Sequence, residues 1–323
     1  MEPPRPAHRI ARTELEEQLQ AVRRALSLRE DAPSGDWVES TARELAAGEK
    51  PGWAFPLSDG GGIAFYSRRR REAFGHVHAG VGTDLDARAR ALGEVLLDHL
   101  TDAVDSANLG FTGLEPGAER DVVRRLAVRP GSTSIPRRSM ERALSAADAG
   151  PAPRTPYPLR LVPVGEVTVE AIADLDRRAF AGTIDATLLG EGAEGAKDAI
   201  EAMLAGRLGR FVDEASTALV ESDPVRLVAA VLSTEQSIRR AVLVDLMVDP
   251  ERRRRGVGRY LLVWALRALW ALGYESVRLW VTDENRAARG LYDAFGFRTI
   301  GSATLYRWDR PGPGSAAHAH SGR

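Results

Sequence analysis

Residues 248–259 have the sequence VDPERRRRGVGR, and this segment decides the interpretation of the chain. The preceding residues, 241–248, are mostly apolar and rich in β-branched side chains, which is typical of a buried central strand. Pro250 has no N–H to donate and is expected to end that strand. Residues 260–270 contain strong helix formers and no helix breaker. The two glycines are therefore predicted to lie at a turn from a strand into a helix.

This turn is predicted to bind a pyrophosphate group. Gly256 and Gly258 lack a Cβ, so phosphate oxygens can approach the backbone closely. The unpaired N–H groups of a first helical turn and the helix dipole supply positive potential at such a place. The residues expected to form the anion-binding turn are Arg253, Arg254, Arg255, Gly256, Val257, Gly258 and Arg259.

A second segment, residues 285–297 (NRAARGLYDAFGF), follows another β-rich run at 277–281. Together with the R-x-x-G-x-G pattern at 253–258, it resembles the GNAT superfamily of acyl-CoA-dependent N-acyltransferases. Both segments occur in the order and at the spacing of that family, over residues 157–308. The resemblance implies an α/β fold with a mixed central β-sheet flanked by helices.

The resemblance also implies acetyl-CoA as the acyl donor. In the family, the strand before the glycine turn diverges from the next strand and pairs with the pantetheine arm, and a strand N–H polarises the thioester carbonyl. The residues that correspond here are Leu246, Met247 and Val248. Asn285 corresponds to an asparagine that contacts the coenzyme at a helix start, and asparagine is also a good N-cap, so it can serve both roles.

The candidate general acid is Tyr292, which corresponds to the tyrosine that many family members place beside the coenzyme sulfur. Its alternative role is packing, on an apolar helix face with its neighbours. Residues 157–308 contain no histidine and no cysteine, which excludes a histidine base or an acyl-cysteine in this region and implies direct attack by the amine in a ternary complex. Asp245 is the nearest carboxylate, but regular strand alternation places it opposite the face from which relatives present their base. A β-bulge would be needed to reorient it, and Glu235 with a water chain is the alternative.

Length and composition indicate a two-domain protein. A chain of 323 residues suits two domains of ordinary size, and a net charge of −1 gives no general attraction to nucleic acid or to an anionic membrane. Cysteine is absent, so disulfides and thiolate metal sites are excluded. The first residues lack the apolar core of a signal peptide, and a cytoplasmic location is expected.

The first half of the chain is interpreted as a degenerate copy of the second. An ungapped comparison at an offset of 258 − 93 = 165 residues aligns Gly93 with Gly258. At this offset Ala91, Arg120 and Ala127 replace Gly256, Asn285 and Tyr292, so the first copy lacks the predicted chemistry. Chance similarity between two α/β segments is the alternative. The predicted organisation is a degenerate GNAT-like domain at 1–149, a Pro-rich linker at 150–158, a GNAT N-acetyltransferase domain at 159–310 and a disordered tail at 311–323.

The predicted function is transfer of an acetyl group from acetyl-CoA to a primary amine of a small molecule or peptide, with the C-terminal domain active. Residues 180–185 are expected to form part of the acceptor pocket. No metal is predicted, since His76 and His78, on a predicted strand, lack a third ligand nearby in the sequence. A homodimer is possible, and nucleic acid and membrane partners are not expected. The alternatives are a tandem acetyltransferase like mycothiol synthase and a non-catalytic acyl-CoA-binding module.

Overall fold

A computed structural model describes residues 5–6, 9–26, 35–69, 72–156, 158–187, 192–206, 209–222, 225–237 and 239–311. The chain divides into two compact units, one formed by residues 1–137 with 302–323 and the other by residues 138–301. Each unit contains a mixed β-sheet covered by helices. The predicted α/β fold with two similar domains is therefore confirmed. The predicted tail, from residue 312 onward, lies outside the described residues.

The first ten elements have the order β-α-α-β-β-β-α-β-α-β. They are β1 (Arg5–Pro6), α1 (Arg12–Leu26), α2 (Gly35–Ala47), β2 (Gly52–Ala54), β3 (Ile63–Arg69), β4 (Glu72–His78), α3 (Leu85–Ala103), β5 (Ser106–Thr112), α4 (Pro116–Leu126) and β6 (Ser132–Ala143). Strands β1 to β4 pair antiparallel in sequence order, and β4 pairs with β5 in parallel.

The remaining elements repeat this order with one short addition, β8. They are β7 (Arg160–Pro163), α5 (Val169–Phe180), α6 (Gly192–Leu204), β8 (Arg210–Phe211), β9 (Thr217–Ser222), β10 (Val225–Ser237), β11 (Arg240–Val248), α7 (Val257–Ala271), β12 (Ser276–Thr282), α8 (Arg286–Ala294) and β13 (Arg298–Asp309). Strands β7, β9, β10 and β11 pair antiparallel in that order, and β11 pairs with β12 in parallel.

The repeat is confirmed, but the predicted alignment was wrong. Strands β5 and β12 begin 276 − 106 = 170 residues apart, and helices α4 and α8 begin 286 − 116 = 170 residues apart. Helix α3 has 19 residues and α7 has 15, and an ungapped comparison cannot absorb that difference. Gly93 lies inside α3, where an added Cβ would be 2.9 Å from the Leu126 side chain. It is a packing glycine and not a counterpart of Gly258.

Part of the last strand of each copy belongs to the other unit. Residues 302–309 of β13 belong to the first unit, where the Tyr306–Asp309 stretch pairs antiparallel with β5. Residues 138–143 of β6 belong to the second unit, where β6 lies beside β12 and Leu144 N–H donates to the Glu275 carbonyl at 2.8 Å. This grouping differs from the predicted domain limits at 149 and 310, because a strand is assigned by its pairing partner and not by its place in the sequence.

In the second unit, the sheet separates two hydrophobic clusters. Helices α5 and α6 pack on one face, around Ile172, Leu175 and Met247. Helices α7 and α8 contribute to the cluster on the other face, around Leu243 and Leu261. Burial on both faces explains why β11 reads as a nearly continuous apolar run.

None of the helices among the described residues is both long enough and apolar enough to cross a membrane.

Candidate active site

Strands β11 and β12 are paired over only part of their length. The parallel pairing in the described structure joins residues 240–242 to residues 276–278. Beyond Val242, β11 continues to pair with β10 but not with β12. The predicted divergence of the two strands is therefore present, and it leaves one edge of residues 243–248 available to an extended ligand.

The glycine turn adopts the conformation that a strand-to-helix connection needs. Gly256 is the N-cap of α7 and has φ 79°, ψ 0°, in the left-handed region that favours glycine. A Cβ placed there would meet nothing within 4 Å, so the backbone faces open space. Arg254 also has a positive φ, 61°. The first N–H groups of α7 thus lie at an open, conformationally constrained turn, as an anion site requires.

Gly258 brings the two sequence signatures together. A Cβ at this position would lie 3.6 Å from Cγ2 of Val248 and 3.7 Å from Cδ2 of Leu291. The Arg259 guanidinium lies over the Phe295 ring, with 5.3 Å between its Cζ and the ring centroid. The end of β11, the first turn of α7 and helix α8 therefore meet at one place, as the predicted coenzyme site requires.

Buried Asp249 anchors the loop that precedes the turn. Its side chain is almost fully buried, accepts a hydrogen bond from Glu251 N–H at 3.1 Å, and forms ion pairs with Arg178 at 2.9 Å and Arg226 at 2.7 Å. Arg252 forms an ion pair with Glu221. These contacts connect the loop to α5, β9 and β10, which fixes the direction in which the turn enters α7.

The predicted phosphate-binding arginines have different surroundings. Arg253 donates to the backbone carbonyls of Ala179 and Val248, the latter at 3.3 Å. Its guanidinium therefore holds the loop in place. Arg254 and Arg255 are exposed beside the turn. These two side chains extend positive charge into solvent next to the α7 N-terminus.

Asn285 joins the acceptor segment to helix α8. Its Oδ1 accepts a hydrogen bond from Ala288 N–H at 3.1 Å, which makes it the N-cap of α8. Its Nδ2 donates to Asp185 at 3.1 Å, and Asp185 also accepts a hydrogen bond from the Thr282 hydroxyl. The loop after α5 is thereby tied to the end of β12, beside the gap between β11 and β12.

Tyr292 lies on α8 and is 8% exposed. Its ring packs against that of Phe297, with 5.6 Å between centroids, and belongs to the hydrophobic cluster around α7. The packing role considered for this residue is therefore present. Its neighbour Leu291 faces Gly258, so Tyr292 follows the residue that contacts the anion-binding turn.

A β-bulge in β11 changes the orientation of Asp245. Leu232 of β10 is opposite Asp245 and the next residue, Ser233, is opposite Leu243, so Val244 is the extra residue. Leu243 packs in the α7 cluster, whereas Val244 and Met247 pack in the α5–α6 cluster. Asp245 hydrogen-bonds to Asp176 of α5, on that second face. Sequence periodicity could not show the bulge, because an inserted strand residue leaves no reliable pattern.

Glu235 is a poor candidate for a general base. It accepts a hydrogen bond from the Tyr274 hydroxyl at 2.7 Å and pairs with Arg210. The hydrogen bond from Tyr274 has the largest effect, and together with the pair to Arg210 it lowers the pKa of Glu235. Glu235 also stands opposite Ala241, in the half of β11 that is paired with β12. Its contacts fit a structural role.

His76 and His78 both form a hydrogen bond with the Thr112 hydroxyl group. His76 Nε2 lies 3.1 Å and His78 Nδ1 lies 3.2 Å from Thr112 Oγ1. Burial, and secondarily the charge of Arg24, lowers the pKa of His78 to about 4. Within the described residues, no group of three or more histidine or carboxylate side chains could hold a metal ion.

The first unit contains a cavity of about 920 Å³, lined among others by Gln18, Arg24, Gly61, His78 and Val81. All the predicted coenzyme-binding and catalytic residues belong to the second unit, so none of them lines this cavity. Cavity size therefore does not locate the predicted chemistry.

Residues 185–297 match the family model described as Acetyltransferase (GNAT) family. The second unit thus contains a GNAT acetyltransferase domain, and the chain as a whole resembles tandem GNAT proteins. The matched residues run from the segment after α5 to the end of the second sequence signature. The match lies within the second unit.

Curated relatives extend this comparison. A mycothiol acetyltransferase from Frankia casuarinae is 26% identical over 239 residues, which cover 71% of this chain and 67% of that protein. A [ribosomal protein bS18]-alanine N-acetyltransferase from Salmonella typhimurium is 37% identical over 79 residues. This second match covers 24% of the chain and about half, 51%, of that protein.

Solved structures show the same fold over nearly the whole chain. A GCN5-related N-acetyltransferase from Sphaerobacter thermophilus superposes with a TM-score of 0.62 at 18% identity, over 90% of this chain and 93% of its own. A tandem GNAT protein from the clavulanic acid biosynthesis pathway gives a TM-score of 0.53 at 14% identity, over 94% of this chain and 98% of its own. At these identities the likeness concerns the fold, and both units take part in it.

Proposed function

We propose that the second unit transfers an acetyl group from acetyl-CoA to a primary amine of a small molecule or peptide, by direct attack in a ternary complex. The observation that carries the proposal is the gap between β11 and β12, which opens beside the constrained turn at Gly256. A strand edge for an extended arm and a helix N-terminus for a pyrophosphate are the two features that coenzyme A needs.

The proposed roles follow from this geometry. The pyrophosphate binds the first N–H groups of α7, with Arg254, Arg255 and Arg259 nearby, while Arg253 holds the loop. The backbone of residues 246–248 pairs with the pantetheine arm, and one strand N–H polarises the thioester carbonyl. Asn285 caps α8 and keeps the acceptor segment beside the coenzyme.

The proposed reaction proceeds through a tetrahedral intermediate. The amine nitrogen bonds to the thioester carbon, the carbon–sulfur bond breaks, and the electron pair leaves with sulfur. Tyr292 donates its phenolic proton to the thiolate and regains a proton from solvent or from the amine. Asp245, reoriented by the bulge, is the proposed base.

The test is calorimetric titration of the intact chain with acetyl-CoA. We expect one site per chain, and Gly256→Trp should abolish binding because the indole fills the open space in front of the turn. Gly273→Trp is the matched control, since Gly273 follows the other end of α7, has φ 86° and also faces open space. It carries the same backbone strain but leaves the turn intact. Absence of binding to the intact chain would refute the proposal, and two sites would show that the first unit also binds the coenzyme.

A second candidate is a mycothiol-synthase-like activity, which the 239-residue similarity to a mycothiol acetyltransferase favours. A screen that measures thiol release from acetyl-CoA should compare a cysteinyl pseudodisaccharide with simple amines and with peptide N-termini. A preference of about 100-fold or more in kcat/KM for the pseudodisaccharide, roughly 3 kcal/mol, would favour this candidate. Binding without thiol release to any amine would indicate a non-catalytic acyl-CoA-binding module. The cytoplasmic location and the homodimer stay predictions.

A further inference from the structure

Asp176 of α5 is the one acidic side chain of the second unit that is deeply buried without an ion pair, among the residues that the structure describes. It is 4% exposed, its Oδ1 has no hydrogen-bond partner, and its side chain bonds to Asp245. Burial raises the pKa of Asp176 to about 7, although the hydrogen bond to Asp245 opposes this. A group that changes charge near neutral pH therefore lies directly behind the proposed base.

A comparison with Asp249 shows that Asp176 is not an ordinary structural carboxylate. Asp249 is equally buried, at 1% exposure, but has two arginine partners and an N–H donor. Such partners are the usual way in which a fold stabilises a buried carboxylate. Asp176 has instead another carboxyl group as its partner. Two adjacent carboxyl groups are stable together when they share a proton, because both cannot ionise without strong repulsion.

The charged groups on the elements that pack against α5 have other partners. On α6, Lys197 pairs with Glu170 and Glu201. On β10, Arg226 pairs with Asp249 and Glu251, and Glu235 pairs with Arg210. On β11, Arg240 pairs with Glu141. Asp198 of α6 also has an interaction partner. On α5 itself, Arg177 and Arg178 pair with Asp174. Among the described residues, Asp245 is the one side chain that hydrogen-bonds to Asp176 and shifts its pKa.

We propose that Asp176 and Asp245 form a proton-sharing carboxyl pair that takes up the proton of the acceptor amine. Asp245, which is partly buried on the bulged strand, contacts the amine, and Asp176 is a positioning residue that acts through it. The proposal rests on the proposed function and adds to the proposed base, Asp245, a second carboxyl group, Asp176, that the sequence did not identify.

The proton balance is as follows. The amine binds as an ammonium ion and gives one proton to the pair, whose single negative charge is neutralised. The free amine then bonds to the thioester carbon to form the tetrahedral intermediate, and the carbon–sulfur bond breaks as that intermediate collapses. The second nitrogen proton replaces the one that Tyr292 gives to the thiolate. The pair finally releases its extra proton to solvent, so the overall products are the amide, the free thiol and one proton.

The first test is the pH dependence of kcat/KM, measured on the full-length protein with two amines of different pKa. In the wild type, we expect kcat/KM to have a limb that rises with pH, with a midpoint near neutral pH that is the same for both amines. Asp176→Asn keeps the shape but cannot titrate, so this limb should disappear and kcat should fall about 10-fold to 100-fold, with KM for acetyl-CoA unchanged. Asp245→Asn should lower kcat further, by about 100-fold or more.

Glu201→Gln is the matched control, because Glu201 is an exposed carboxylate of α6 whose recorded ion-pair partner is Lys197. It should leave both the rate and the pH profile unchanged. A wild-type profile that persists in Asp176→Asn would overturn the proposal. An equal change in Glu201→Gln would show that the profile reports general electrostatics and would overturn it as well.

The second test does not depend on activity. In protein labelled with carboxyl-¹³C aspartate, one resonance should titrate near neutral pH, vanish in Asp176→Asn and move its midpoint in Asp245→Asn. If every aspartate titrates in the ordinary acidic range, the pair does not share a proton and the proposal fails even if the enzyme is active. If the resonance titrates near neutral pH but no amine supports thiol release, the proposed function fails, and the catalytic role of the pair with it.

Discussion

The parallel strand pairs of the two units show how one fold can be open or closed to the same ligand. In the first unit, β4 and β5 pair along seven consecutive positions, from Glu72 opposite Ser106 to His78 opposite Thr112. In the second unit, β11 and β12 pair at three positions and then diverge. A backbone edge that is already bonded to a neighbouring strand cannot bond to a pantetheine arm. The difference supports the proposal that acetyl-CoA binds to the second unit and not to the first.

Two further positions differ between the units, and each difference disfavours coenzyme chemistry in the first unit. The N-cap of α3 is Asp84 where α7 has Gly256, and a carboxylate repels a phosphate group. At the 170-residue offset, Tyr292 corresponds to buried Val122, which has no proton to donate (292 − 170 = 122). The first unit therefore lacks the gap and has neither a glycine at this turn nor a tyrosine at the position of Tyr292, which supports its interpretation as a degenerate copy.

The largest expected effect concerns the general acid. Tyr292→Phe removes the phenolic proton and keeps the ring, so kcat should fall about 100-fold or more while acetyl-CoA binding is retained. Tyr274→Phe is the control, since the Tyr274 hydroxyl donates its hydrogen bond to Glu235. Burial, and after it this hydrogen bond, raises the pKa of Tyr274 to about 12, so it is a poor proton donor. Equal loss of kcat in both variants would contradict the assignment of Tyr292.

The second expectation is an opposite pH dependence of stability in the two units. The pKa of His78 is lowered in the folded state to about 4. The contribution of neutral His78 to the free energy of unfolding is therefore lost as pH falls from about 6.5 to about 4. The pKa of Asp176 is raised to about 7. The contribution of protonated Asp176 to the free energy of unfolding is therefore lost as pH rises from about 4 to about 7. Each loss is expected to be about 2–4 kcal/mol in the free energy of unfolding.

Denaturant unfolding at pH 5 and pH 8 measures this difference. His78→Gln should be more stable, relative to the wild type, at pH 5 than at pH 8, and Asp176→Asn should show the reverse. A change with the same sign for both variants would contradict the assigned protonation states.

The third prediction separates the two glycines that the ungapped alignment equated. In Gly258→Ala, the added methyl group makes only ordinary contacts with the protein but narrows the first turn of α7, where the proposal places the coenzyme, so the Kd for acetyl-CoA should rise about tenfold, or ~1.4 kcal/mol. In Gly93→Ala, the methyl group would lie 2.9 Å from Leu126, so the melting temperature should fall and the Kd should stay constant. Calorimetry and thermal unfolding of both variants test the contrast, and loss of binding in Gly93→Ala would argue for a coenzyme site in the first unit.

The smallest effect is expected for the exposed arginines. Arg255→Gln should weaken acetyl-CoA binding about twofold to fivefold, because a solvent-exposed charge contributes up to about 1 kcal/mol. The effect should shrink at high salt, where such charges are screened. Arg252→Gln should lower stability more than affinity, because Arg252 pairs with Glu221. Identical salt dependence of the two variants would contradict this division.

Local sequence predicted much of the second unit. The strand at 241–248, the turn at 256–258 and the helix after it were expected from apolar pattern, proline and glycine, and β11 and α7 lie at these places. These features depend on neighbouring residues, whose side-chain preferences act over a few positions. The repeat was also visible in the sequence, but its alignment was not, because α3 and α7 differ in length.

The sequence by itself determined the resemblance to the GNAT family, the position of the glycine turn and the choice of Asn285 and Tyr292 as candidates, because each depends on a short motif. Only the tertiary structure decided which strands pair and where pairing stops. The bulge at Val244, the contact of Asp245 with Asp176 and the exchange of β6 and β13 between the units all depend on residues far apart in the chain. Such partners are selected by the packing of the whole fold, and local propensity contains no record of them.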